Sequence, residues 1–292
     1  MNKDAVMLQM NHIRFAYPRR GPLFDDLDFS VTPGGIVGLL GKNGAGKTTL
    51  LKIGTGLLFA QNGRAELFGS PAPQRHPDAL GRVSYVPEQF DVPPVPLREY
   101  VAYQSVYYPR FDTGLMERYL QRFEIAGNDK LTELSFGQQK KVLLSFALAS
   151  LAELVVLDEP TNGLDIPSKQ VFRQLVAEAA DDERAVIIST HQVRDVEALI
   201  DPIVVLDGGR VVFQADLATI QENLEMRRFT SESDALGAGA LAVDTRLGTS
   251  VALVPRDGAG GESLGDGMDV ELLFQAAISH PKETGALCGG VR

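Results

Sequence analysis

The chain has 292 residues, of which 44% are hydrophobic and 23% charged, and a formal net charge of −10. This is the balance of a soluble globular protein, one large domain or one plus an appendage, and its negative charge disfavours nucleic acid as a partner. A single cysteine, Cys288, excludes an intrachain disulfide and fits a reducing compartment.

The first fifteen residues carry polar side chains every few positions and lack the apolar core of a secretory signal. Residues 7–15 and 26–31 alternate or run apolar and read as strands. A third apolar run, Ile36-Val37-Gly38-Leu39-Leu40, leads into a glycine-rich loop, and a helix is expected to start over Thr49 to Ile53. Ala65 to Phe68 and Val83 to Val86 read as further short strands. From Pro93 to about Ala152 the pattern turns helical, with Pro and Gly breaks near 109 and 127. The most apolar helix candidate, Val142 to Ala152, is too short for a bilayer, which needs about 20 residues. The expected location is therefore cytoplasmic, and any membrane role falls to a partner subunit.

Leu154 to Leu157, Ala185 to Thr190 and Ile203 to Leu206 are short branched apolar runs, as buried parallel strands tend to be. The helical run Ser168 to Ala180 separates the first two. That alternation predicts an α/β core with an inserted helical region, about residues 90–152. Beyond about residue 225 the character changes. Residues 231–268 are rich in Gly, Ser, Ala and Asp, and a hairpin of Leu241-Ala242-Val243 against Val251-Ala252-Leu253 is expected there. Asp269 to Ile278 reads as one short amphipathic helix and Pro281 to Arg292 as a frayed end. The expected division is thus a domain of residues 1–225 and an extension of residues 226–292. A chain ending near Leu224 should stay folded, while the apolar face of Val270, Leu273 and Phe274 should dock on its own domain or on a second subunit.

The loop reads Gly41-Lys42-Asn43-Gly44-Ala45-Gly46-Lys47-Thr48. Glycines let the backbone curl so that successive N–H groups face phosphate oxygens, and the positive end of the following helix, from Thr49, faces the same anion. Lys47 can reach the β- and γ-phosphates of a triphosphate, and the Thr48 hydroxyl can ligate Mg²⁺. Leu154-Val155-Val156-Leu157 ends in Asp158 and Glu159. Asp158 beside Thr48 would complete the Mg²⁺ shell, and Glu159, pointing elsewhere, can hold or deprotonate the attacking water. Leu134-Ser135-Phe136-Gly137-Gln138 precedes a helical run; Ser135 is an N-cap candidate and Gly137 allows close approach of a phosphate.

These motifs, with Thr161-Asn162-Gly163-Leu164-Asp165 and Ser189-Thr190-His191, closely resemble the ATP-binding cassette ATPases over roughly residues 7–220. The resemblance implies an α/β P-loop NTPase fold: a RecA-like core, an N-terminal antiparallel β-subdomain, an inserted helical signature subdomain and a small C-terminal extension. It implies ATP and Mg²⁺ as ligands, and a head-to-tail pair of copies in which Ser135, Phe136, Gly137 and Gln138 of one copy close over ATP on the phosphate loop of the other. Phe136 departs from the family's usual glycine. Tyr17 resembles the aromatic that stacks on adenine, His191 the histidine that touches the γ-phosphate, and Asp165 the acid that crosses the dimer seam. After the strand ending at Val86, either Glu88 or Gln89 could reach the metal, Glu88 by strand register.

Tyr100, Tyr103, Tyr107 and Tyr108 crowd the helical region, three of them on one helical face. They are expected to pack inside it, or in part to form a groove for a permease helix. Tyr107-Tyr108-Pro109-Arg110-Phe111-Asp112, the signature stretch Leu134 to Val142 and the tail segment Asp269 to Phe274 resemble exporter cassettes of the bacitracin-resistance kind, which pair with separate permease chains at the inner face of the cell membrane. The rival reading is a soluble cassette ATPase in DNA repair or translation. The spacing of 88 positions from Lys47 to Ser135 leaves no room for the coiled-coil or zinc insertions of repair proteins, and the chain has one cassette where translation factors have two.

Overall fold

The computed structural model describes residues 6–246, 248–265 and 267–289. In chain order, β1 (Leu8–Ala16), β2 (Pro22–Val31), β3 (Ile36–Leu40), α1 (Lys47–Gly54), β4 (Asn62–Leu67) and β5 (Ser70–Pro71) are followed by α2 (Pro77–Leu80) and β6 (Val83–Val86). Then come three helices, α3 (Leu97–Ser105), α4 (Thr113–Arg122) and α5 (Phe136–Ala149). An alternating run follows, with β7 (Leu154–Asp158), α6 (Ile166–Ala179), β8 (Ala185–Thr190), β9 (Ile203–Asp207), β10 (Arg210–Ala215) and α7 (Leu217–Asn223). The tail holds β11 (Leu224–Phe229), α8 (Glu232–Gly237), β12 (Ala242–Arg246), β13 (Thr249–Pro255), β14 (Glu262–Ser263), α9 (Val270–Ser279) and α10 (Pro281–Leu287).

The central sheet has the order β10-β9-β3-β8-β7-β6. It is parallel from β9 to β6, and only the β9–β10 hairpin is antiparallel. Every residue of β3, β7 and β8 is buried, so these strands read as unbroken apolar runs rather than alternations. Their side chains still alternate between faces. Val155, Leu157, Val186 and Ile188 enter one core with the helical region; Leu154, Val156, Ala185 and Ile187 enter another with the N-terminal strands. Those strands form an antiparallel sheet, β2-β1-β4-β5, whose β1 alternates buried and exposed positions because one face meets water.

Helix starts follow local chemistry. Asp112, Asp165 and Asp216 cap α4, α6 and α7 by accepting from the third residue on, and Ser135 with Gln138 forms a reciprocal capping box at α5. The crowded tyrosines divide. Tyr100 and Tyr108 stack edge-on against Phe146, whereas Tyr103 and Tyr107 are exposed.

The tail departs from expectation in three ways. Its described residues carry three helices rather than one, because Ser231 caps α8 and Pro281, at the first helical position, starts α10. Pro281–Leu287 is therefore helical rather than frayed; the last three residues lie outside the described part. Finally, β11 crosses the boundary set at residue 225 and pairs with β13 in a third sheet, β12-β13-β11-β14. Ala242 pairs with Leu253 and Val243 with Ala252 in the tail hairpin. Met226, Leu253, Val270, Leu273, Ala276 and Ala277 share one apolar core with Ile203, Val205 and Phe213 of the central sheet. The tail helix thus docks on its own chain.

Candidate functional site

The strand order brings β3, β8 and β7 side by side, so the loops after all three leave the same edge of the sheet. This is the carboxyl edge where open α/β sheets bind ligands. The loop after β3 supplies Gly41 to Thr48, the end of β7 supplies Asp158 and Glu159, and the end of β8 supplies Thr190 and His191. Residues more than 100 positions apart in sequence become neighbours only through this order.

Helix α1 starts at Lys47 behind Gly46, whose φ is +107°. A Cβ there would lie 2.7 Å from the Phe24 ring, so both the backbone and the packing require glycine. The buried Lys47 ammonium donates to the Gly41 carbonyl at 2.8 Å and lies 3.2 Å from Glu159 Oε1. His191 Nδ1 is 2.8 Å from the same Glu159 oxygen, and the Thr190 hydroxyl donates to Glu159 Oε2 at 3.2 Å. Glu159 itself has φ +47° and is 3% exposed. It is a buried carboxylate held by a cation, an imidazole and a hydroxyl, in a backbone conformation that costs of order 1–3 kcal/mol.

Asp158 is fully buried beside it. Ser189 donates to Asp158 Oδ1 at 2.5 Å and Tyr85 to Oδ2 at 3.3 Å. Burial first, and then the Asp158 charge, push the Tyr85 hydroxyl up, so it stays protonated as a donor. Each Asp158 oxygen keeps lone pairs for a further partner.

A cleft of about 290 Å³ is lined by Tyr17, Lys42, Asn43, Gly44, Gly46, Lys47, Thr48, Thr49, Glu88 and Glu159, and also by residues 20–23. Tyr17 donates to or accepts from Thr49 at 2.9 Å and meets Phe15 edge to face. Of the two candidates after β6, Glu88 lines the cleft and accepts from Asn162 at 3.2 Å, while Gln89 is exposed. Thr48, Asp158 and Glu88 offer the hard oxygen donors that Mg²⁺ takes.

Ser135, Phe136, Gly137, Gln138 and Asp165 lie outside the cleft. Ser135, Phe136, Gln138 and Asp165 are exposed, and a Cβ on Gly137 would meet the Gly163 carbonyl at 2.8 Å. Two hydrogen bonds from Ser168 hold the Asp165 carboxyl below the usual range. The sequence-level reading missed Arg20 to Leu23, although the Arg19-Arg20-Gly21 turn beside Tyr17 was a visible basic signal. It also missed Ser189 and Tyr85 as Asp158 partners, and Lys140. Lys140 is fully buried, donates to the Pro87 and Glu88 carbonyls, and is pulled down to about 8 by burial, against the Asp158, Glu88 and Glu159 charges.

A family profile described as ABC transporter matches residues 24–162. The ABC transporter ATP-binding protein YtrB of Bacillus subtilis (strain 168) is 30% identical over 204 residues, 68% of either chain. A Nod factor export ATP-binding protein I of Cupriavidus metallidurans is 32% identical over 215 residues, 71% of this chain and 70% of that one. A solved ATP-binding subunit of an ABC transporter superposes with a TM-score of 0.66 at 25% identity, covering 74% of this chain and 92% of its own. With a complete phosphate loop and a buried acid pair on the same sheet edge, the chain belongs to the ABC transporter family, among its ATP-binding, ATP-hydrolysing subunits.

Proposed function

We propose that this subunit powers an exporter, closing head to tail with a second copy over two ATP molecules and driving a separate membrane permease. The observation that carries the chemistry is the Lys47–Glu159–His191 cluster at the mouth of the phosphate loop. ATP would lie with its base against Tyr17 and its phosphates on the backbone of residues 42–48. Lys47 would then trade Glu159 for the phosphates. The freed carboxylate, still held by His191 and Thr190, would orient water and take its proton. Thr48, Asp158 and Glu88 would hold Mg²⁺, which when bound supplies charge neutralisation at the phosphate oxygens.

Ser135, Phe136, Gln138 and Asp165 stand exposed and do not line the cleft of their own chain. That division suits two copies that complete each other's sites. Exposed Tyr107 lines a second cleft of about 350 Å³ with Arg82, Pro109 and Arg110, a surface suited to a permease helix. No helix among the described residues is long and apolar enough to cross a membrane; in this reading the subunit is held at the cytoplasmic face by its permease. The name of the Nod factor relative favours export, and the net charge of −10 disfavours nucleic acid.

The test is Glu159→Gln. The amide keeps shape but cannot take a proton, so turnover should fall about 100- to 10,000-fold while ATP still binds. Sedimentation should show the variant shifting from monomer to dimer with ATP, because hydrolysis no longer resets the closed state. Wild-type turnover in this variant would remove Glu159 from its role, and a monomer at saturating ATP, with the permease present, would remove the shared-site reading.

A further inference from the structure

Among the described residues, the buried cation near the site that the proposed chemistry leaves unused is Lys140. It sits five positions into α5, the helix that Ser135 caps, and its side chain is wholly removed from water. Its ammonium points away from the helix axis into the loop after β6, where it donates to the carbonyls of Pro87 and Glu88, both at 3.2 Å. Above it the Phe90 and Phe136 rings stack at 4.9 Å, within 10° of parallel, with the ammonium 5.3 Å from one centroid and 6.0 Å from the other. An ammonium between carbonyl oxygens and π faces is held by charge and by direction. Among the described residues it has no carboxylate within ion-pair distance, so its role is to tether backbone rather than to neutralise an acid.

The tether joins two segments with different duties. On one side, Phe136 and Gly137 open the signature helix, and Gly137 lies against the Gly163 carbonyl. On the other, the Glu88 carboxylate lines the cleft and accepts from Asn162, and Asn162 Oδ1 in turn accepts from Gln192, the neighbour of His191. A path of packed and hydrogen-bonded groups thus runs from the exposed helix start to the phosphate cleft of the same chain. Lys140 is the only side chain of α5 in that path with hydrogen bonds to the Glu88 loop among the described contacts.

We propose that Lys140 is a positioning residue that locks the Glu88 loop to the signature helix, so that the helix start and the Glu88 carboxylate move as one body. The inference rests on the shared-site reading above: in a closed pair the helix start faces the other copy's ATP and Glu88 faces its own. Lys140 would then make occupancy of one site felt at the second. Its charge matters because a neutral side chain of similar volume would fill the space without gripping two carbonyls.

The chain has no tryptophan, so Phe90→Trp places a single reporter in the stacked pair. In the full chain carrying it, the emission should change when Mg²⁺-ATP is added. Lys140→Met should abolish that change and lower kcat by about 10- to 100-fold, as misplacement of a supporting group does, with KM for ATP held within about twofold. Lys140→Arg, whose fork can serve both carbonyls, should restore the response and most of kcat. Lys140→Leu, which also lacks a donor, replaces the methionine variant, with the same outcomes expected, should circular dichroism show the latter unfolded. Binding of a fluorescent ATP analogue separates the two readings. Loss of binding in the unaltered chain defeats the nucleotide site itself. Binding with an unresponsive reporter, an intact response in a folded Lys140→Met chain, or an arginine variant as impaired as the methionine one overturns the tether.

Discussion

Leu273→Ala tests whether the tail is part of the domain that carries the site. Leu273 is fully buried on α9, the helix whose first turn is capped by Asp269 through the amides of Glu271 and Leu272. Helix α9 packs on β9, β10 and β13, and Leu273 shares one core with Phe213, Ile203, Val205 and Leu253 of those strands. The substitution removes three carbon groups, about 2.4 kcal/mol of transfer free energy at about 0.8 kcal/mol each. The neighbouring strands are tied into hydrogen-bonded sheets and cannot collapse fully, so a residual cavity adds to this and the total should reach about 3–4 kcal/mol. Urea unfolding followed by far-UV circular dichroism should show one transition, shifted to lower denaturant by that amount. A loss below about 1 kcal/mol, or a separate early transition for the tail, would refute the integrated core. The same logic reverses the expectation for a chain ending near Leu224. Removing α9 and α10 uncovers Phe213 and its neighbours, so that chain should be markedly destabilised even though every phosphate-loop residue remains.

Lys47→Ala should weaken nucleotide binding itself, in contrast to Glu159→Gln; equilibrium titration with a fluorescent ATP analogue separates the two, and equal affinities would contradict the placement of Lys47. Arg184 is buried and donates to the carbonyls of Ala152, Ala179 and Leu148. Lysine cannot serve that fork, so Arg184→Lys should cost about 1–3 kcal/mol in urea unfolding. The amide and hydroxyl of Thr219 hold the Asp216 carboxyl below the ordinary range, as those of Ser168 hold Asp165. A depressed folded-state value stabilises above the unfolded one and loses that contribution as pH falls through the folded value. The melting temperature should therefore fall less steeply from neutral to acid pH in Asp216→Asn, which keeps a cap but not the charge, than in the parent, and identical slopes would argue against the depressed carboxyl.

Much of the site was legible because its chemistry requires adjacent residues. A phosphate cradle is one continuous loop, so Gly41 to Thr48 stand together in the sequence, and the acid pair ends one apolar strand at Asp158 and Glu159. Strands β3, β7 and β8 were readable for the same kind of reason: burial on both faces leaves no polar position to interrupt the run. The Ser135 cap was readable too, since it acts on the amide of Gln138, three residues away, whereas the cap that Asp165 forms on Ser168 was not read from the sequence.

Other features follow only from what meets across long stretches of chain. Hydrophobic periodicity says which face of a segment is apolar but not which element covers it. So α9 was recognisable as amphipathic, while its docking on β9 and β10 was not. The exposed Tyr107 and the packed Tyr108 were equally indistinguishable from their neighbours. Lys140 carries no local sign of burial; a lysine on a helix is ordinarily solvated, and only the loop after β6 folding over it makes it an internal tether. The Lys47–Glu159–His191 cluster depends on the order β3-β8-β7, which is a property of strand pairing. Local sequence could therefore specify each part of the phosphate site, because turns, caps and buried runs are short-range. Their assembly into one cleft was decided by the tertiary structure, since parallel pairing and core packing join residues that have no short-range reason to meet.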